Sequence, residues 1–178
     1  AAVGLAWLPA CASHRRAEYE SAIASSRPPE DFWLGVTVFK IPADTASRAA
    51  AYLQLPIPVR PARYIIEADR MLRVAVGSGA TVDTFPDRTR QLTEAQFEQV
   101  WNTLRTSSLV LDDNPAEVGA PPAVGTLGAR TMYIVEFSAG GDRRMLAMDA
   151  EPTPGEGGAG AEDAKKLVEQ LAALAWMK

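Results

Sequence analysis

The run FWLGVTVF at residues 32–39 is apolar on both of its alternating faces. Phe32, Leu34, Val36 and Val38 fall on one side, Trp33 and Phe39 on the other. Aromatic and β-branched residues of this kind favour the extended chain, so the run reads as a strand. A strand apolar on both sides needs cover on both sides. The Pro28-Pro29 pair just before it marks where the folded part begins, and the rest of the chain has to supply that cover.

The clearest helix is QLTEAQFEQVWNTLRTS. Thr93 stands where it caps while Gln96 reaches back, the capping-box pattern, and Leu92 and Phe97 have the spacing of a hydrophobic staple. Phe97, Val100, Trp101 and Leu104 then recur on one helical face, which predicts a helix from Glu94 to about Thr106. Residues 63–67 and 71–76 read as a hairpin around Ala68, Asp69 and Arg70, with no glycine to fix the turn type. A second hairpin is predicted from 132–137 and 145–148, where Gly140 and Gly141 supply the positive φ of a tight turn.

Asp44 before TASRAAAYL suggests one short helix, and LPIPVRP then breaks it. Residues 77–90 and the Pro, Gly and Ala-rich stretch 112–130 read as loops. After EPTPGEGGAGA comes a closing helix from Asp163, its apolar side marked by Leu167, Leu171, Leu174 and Trp176. The order is strand, hairpin, helix, hairpin, helix. This predicts an α+β fold, an antiparallel sheet of about five strands with two main helices on one face. Two helices on one face leave Trp33 and Phe39 to be shielded by something else. Tyr52, Leu53, Leu55 and Ile57 are the expected cover; failing that, Trp33 and Phe39 form a partner surface.

A length of 178 residues with 47% hydrophobic and 22% charged residues fits one globular domain, predicted over residues 31–178. The net charge of −4 supplies no cationic field for phosphates, so nucleic acid is not an expected partner. The N-terminal residues 1–11 are apolar up to Cys11 and then turn polar and basic, the profile of the end of a signal peptide. Leu8, Pro9, Ala10 and Cys11 resemble the lipobox of bacterial lipoproteins, with Leu8, Ala10 and Cys11 matching and Pro9 departing from it. The resemblance implies cleavage before Cys11, acylation at Cys11 and a membrane anchor in the bacterial cell envelope. Residues 12–30 read as a flexible tether between that anchor and the domain.

Chemistry-bearing residues are few. His14 is the one histidine and Cys11 the one cysteine, so neither a Ser-His-Asp centre nor a transition-metal spacing is available, and no cofactor or metal is expected. The adjacent Asp112 and Asp113 read as a solvated turn, and the glycines at 77–79 and 155–160 lack a phosphate-loop pattern. The expected role is non-catalytic: a lipid-anchored domain that binds a protein or acts as a scaffold. The alternative is a carboxylate-based hydrolase of envelope polymers, for which Glu67 and Glu136 facing each other across a sheet would be the acid/base pair. Asp69 and Asp149 are the other carboxylates on or beside these strands.

Overall fold

The computed structural model describes residues 8–40, 54–77, 79–111, 131–150 and 158–177. They form an α+β fold around a six-stranded antiparallel sheet. The elements are α1 (Leu8–Ala24), β1 (Trp33–Lys40), a short 3-10 turn (Ile57–Val59), β2 (Ala62–Ile66), β3 (Met71–Val76) and β4 (Arg88–Gln91). These are followed by α2 (Glu94–Arg105), α3 (Ser108–Leu111), β5 (Thr131–Ala139), β6 (Asp142–Asp149) and α4 (Gly158–Trp176). The sheet order is β4-β3-β2-β1-β5-β6, so the doubly apolar β1 lies in the interior of the sheet, between β2 and β5.

One face of the sheet carries the core. Leu34, Val36 and Val38 of β1, Tyr64 and Ile66 of β2 and Tyr133, Val135 and Phe137 of β5 pack with residues from all four helices. Phe97, Val100, Trp101 and Leu104 of α2 are buried there, as are Leu167, Leu171 and Leu174 of α4. Phe32 meets the Trp101 ring edge-on with centroids 5.0 Å apart, and Trp101 Nε1 donates to Ser25 O at 3.0 Å. The capping box of α2 forms as expected: Gln96 N donates to Thr93 Oγ1, and Thr93 N to Gln96 Oε1.

Both hairpins form. In the first, Arg70 adopts φ +68 and donates its N–H to Glu67 O, while Asp69 Oδ1 accepts from Met71 N. A non-glycine residue thus takes the left-handed position of a three-residue loop. In the second, Gly140 (φ +58) and Gly141 (φ +76) make a two-residue turn, and their N–H groups are both bound by the Asp31 carboxylate. A Cβ on Gly140 would stand 2.7 Å from the Glu18 carbonyl, so the close approach of α1 also needs glycine here.

Four expectations are corrected. The tether expected over residues 12–30 is helical through Ala24, because Tyr19 is buried in the core under the Arg144 guanidinium. The loop expected at 77–90 ends in a sixth strand, β4, whose sequence RTRQ has no apolar period and which pairs with β3 through a register shift. Helix α4 begins at Gly158, ahead of the expected Asp163, and its first turns are tied to the core by the buried Ala161 and Ala164. Trp176, expected on the apolar side of that helix, is 61% exposed in its last turn. The short helix after Asp44, the cover from Tyr52 and Leu53, and the Asp112-Asp113 turn lie outside the described residues. Among the described residues no helix is long and apolar enough to cross a membrane.

Candidate functional site

The second face of the sheet is built from the other residue of each pair. Strand register sets Met145, Glu136, Gly35, Ile65 and Arg73 in one row across five strands, and Ala147, Ile134, Thr37, Arg63 and Ala75 in the next. Arg143, Ser138 and Trp33 form the row above. Among the described residues no helix contributes to this face. It is nonetheless not uniformly open: Thr37, Ile134 and Met132 are buried, while Ala147 is exposed on the edge strand β6 and Arg143 is exposed at the Trp33 end.

A buried ion pair lies at the centre of that end. Arg63 and Glu136 are 3% and 4% exposed. Arg63 Nη1 donates to Thr37 Oγ1 at 2.6 Å and stands 2.7 Å from Glu136 Oε2. Charges so far from water are held only when paired. Glu136 Oε2 is thus held by the ion-pair contact to Arg63 Nη1, while Arg63 Nε has no hydrogen-bond partner among the described residues. The second oxygen, Oε1, has Arg143 Nη2 at 3.5 Å.

Trp33 lies along this pair. Its ring centroid is 5.8 Å from Arg63 Cζ and 5.5 Å from Arg143 Cζ, so two guanidinium groups flank one indole. Gly35 makes room: a Cβ there would meet Trp33 Cη2 at 2.6 Å and Arg63 Nη2 at 3.1 Å. A glycine inside a strand commonly marks such a close approach.

The β3–β4 loop supplies the other wall. Arg73, paired with Glu67, donates through Nη1 to Pro86 O and has its Cζ 4.5 Å from the Phe85 ring centroid. Thr84 Oγ1 accepts from Thr81 N and donates to Gly79 O, closing the loop on itself. Between loop and sheet is a cavity of ≈ 370 Å³, lined by Trp33, Ile65, Phe85 and Met145 with Arg63, Asp83, Glu136 and Arg143 as its charged groups. That is at the small end of the range of about 300–1,000 Å³ typical of ligand pockets.

Of the residues singled out from sequence, Trp33 belongs to this site and Phe39 does not. Both are half-buried on the second face of β1, but Phe39 is opposite Met132, at the covered end. The neighbours of Trp33 are arginines, whereas Ile57 belongs to the 3-10 turn and is 38% exposed. Glu67 and Glu136 share a face without facing each other, each held by its own arginine. Asp69 caps the first hairpin turn and Asp149 ends β6 opposite Met132. Cys11 is within the helical span of α1. Among the described residues no group of three or more His, Cys, Asp or Glu side chains stands together as metal ligands do.

Arg63, Arg143, Phe85 and Gly35 were not singled out by the sequence. An arginine inside the apolar run ARYII and a glycine inside FWLGVTVF are the signals that point to them. No protein-family model matches the chain, and no curated protein is significantly similar to it.

Proposed function

We propose that this chain is the folded domain of a lipid-anchored protein of the bacterial cell envelope, and that it binds a protein partner at the Trp33 end of its second sheet face. The observation that carries the binding role is the one-sided architecture. All four described helices serve one core, while the other face has a cavity walled by Trp33 and by Phe85, which is 62% exposed. An exposed aromatic beside a half-buried one, with an arginine at the rim, is the composition of a protein-binding patch. Arginines engage both Glu136 and Glu67, which favours binding over the carboxylate hydrolysis considered above.

The anchor rests on the lipobox-like Leu8, Ala10 and Cys11. Cys11 precedes Tyr19 by eight residues of one helix, about 12 Å at the helical rise. An acylated Cys11 therefore holds the domain close to the lipid surface.

The test uses the full gene expressed in a bacterium with a lipoprotein pathway. A photoreactive p-benzoylphenylalanine replaces Phe85 in one strain and the exposed Gln99 of α2 in another. The expected result is a discrete covalent adduct from position 85 alone, with the protein in the membrane fraction and Cys11→Ser releasing it. Equal labelling from both positions would remove the binding reading, and an unmodified Cys11 in the mass spectrum would remove the anchor.

A further inference from the structure

The sheet has two edges, and they are built differently. Strand β4 is four residues long, polar and joined to β3 through a register shift, features that discourage a further strand. Strand β6, DRRMLAMD, is eight residues long, follows β5 without a shift and contains neither proline nor lysine. Among the described residues no strand pairs with its outer side.

The ladder to β5 tells which main-chain groups face that outer side. Ala150 N donates to Thr131 O, one step beyond the Met132–Asp149 pair. By the two-residue period of a strand, the even-numbered residues of β6 bond to β5, and the main-chain groups of Arg143, Met145, Ala147 and Asp149 point outward. Arg143 N is taken by Asp142 Oδ1 at 3.0 Å, which leaves Met145 and the exposed Ala147 as the middle of the open row.

We propose that the occupant of this edge is β6 of a second copy of the chain, antiparallel to the first about a two-fold axis at Leu146. The charges of the strand favour this occupant. Asp142 is paired with Arg144 at one end, where the Arg143 side chain is 70% exposed, and Asp149 closes the other end. An antiparallel copy therefore sets the basic end against the acidic one. With the axis on Leu146, Met145 exchanges hydrogen bonds with the second copy's Ala147, and Arg143 lies opposite the second copy's Asp149. Moving the axis to Met145 or to Ala147 separates those charges. Asp149 is also engaged within its own chain, and exposed ion pairs add little affinity, so the charges set the register while the ladder holds the copies. On the core side Leu146 meets its own counterpart in a non-hydrogen-bonded pair, the closer of the two kinds. The contact uses the sheet edge rather than the cavity on its face, and it goes beyond the partner reading above.

The experiment uses the whole chain with Cys11→Ser, so that no disulfide joins two copies. Sedimentation equilibrium from micromolar to millimolar protein is expected to show a monomer–dimer equilibrium. Over the same range hydrogen exchange should slow at the Met145 and Ala147 amides and stay constant at Leu146, which is bonded to β5. Ala147→Pro removes an outward N–H and spares the β5–β6 ladder, so the variant is expected to stay folded and to pair at least about tenfold more weakly. Arg143→Asp and Asp149→Arg each set like charges opposite one another in a dimer. Each is expected to pair poorly alone, and the two to pair when mixed. A chain that is monomeric at every concentration overturns the proposal and leaves the β6 edge to a strand of another protein. A dimer that Ala147→Pro leaves intact is held elsewhere and overturns it too, as does a mixture of the two folded charge variants that does not pair.

Discussion

Arg63 of β2 and Glu136 of β5 meet across the strand between them, over the one position of β1 that has no side chain. Gly35 is paired to Ile65 on one side and to Glu136 on the other, and the Arg63 guanidinium and Trp33 indole both occupy the space above it. The pair, the glycine and the tryptophan are therefore one unit.

The pair is expected to be strongly coupled. Arg63→Met leaves the buried carboxylate with only the exposed Arg143 as counter-charge; breaking a buried pair typically costs about 3–5 kcal/mol. Arg63→Met with Glu136→Leu removes both charges and is expected to recover most of that loss. Urea unfolding of the single and double variants measures the difference. A double variant no more stable than Arg63→Met would mean that the two charges do not support each other.

Gly35→Ala tests the close approach. The new Cβ would be 2.6 Å from Trp33 Cη2, well inside contact distance, so Trp33 must leave its place over the sheet. Overpacking of this kind costs about 1–3 kcal/mol. Acrylamide quenching of Trp33, read in a background where the other tryptophans are phenylalanine, should rise with the substitution. An unchanged Trp33 signal and unchanged stability would show that the indole does not lie against Gly35.

The elements that were legible in the sequence are those whose signal is local. The Thr93-Gln96 box and the period through Phe97, Val100, Trp101 and Leu104 fix α2, and Gly140-Gly141 fixes the second hairpin turn. What was not legible depends on partners distant in the chain. Strand β4 is polar throughout and exists because β3 offers it a ladder, and among the described side chains of α1 Tyr19 alone is buried, with Ile23 partly so. The candidate site shows the same division. Trp33 drew notice as an aromatic on a second apolar face, but its use depends on Arg63, Arg143 and a loop more than forty residues along the chain, which no spacing rule connects.

Helix α1 gives a direct contrast between a tether and a docked element. Tyr19 is buried in the common core, with the Arg144 guanidinium Cζ 4.1 Å from its ring centroid, and burial pushes its hydroxyl pKa up. Tyr19→Ala is expected to destabilise the domain by about 1.5–3 kcal/mol, the worth of one large buried apolar side chain. Hydrogen exchange should then report faster opening over residues 14–24. A variant with wild-type stability would return this segment to the role of a free linker.

Asp163 gives the fold an acid-sensitive tie between two helices. Burial of its carboxyl raises the pKa. Three hydrogen bonds oppose that effect, from Lys166 Nζ, Ser108 N and Ser108 Oγ, and with the Lys166 charge they hold it below the ordinary carboxylate range. A group whose folded pKa is depressed binds fewer protons folded than unfolded as pH falls. Its contribution is therefore complete above the unfolded carboxylate pKa and is lost as pH drops through the folded value. Asp163→Asn removes the titration while keeping an oxygen acceptor for Ser108. The variant should be less stable at neutral pH by about 1 kcal/mol, and its stability should fall less steeply in acid than that of the unaltered protein. Urea midpoints from pH 7 down to pH 2.5 measure both. An unaltered protein that loses no more stability in that range than Asp163→Asn would show that Asp163 is not held in its charged form by these bonds.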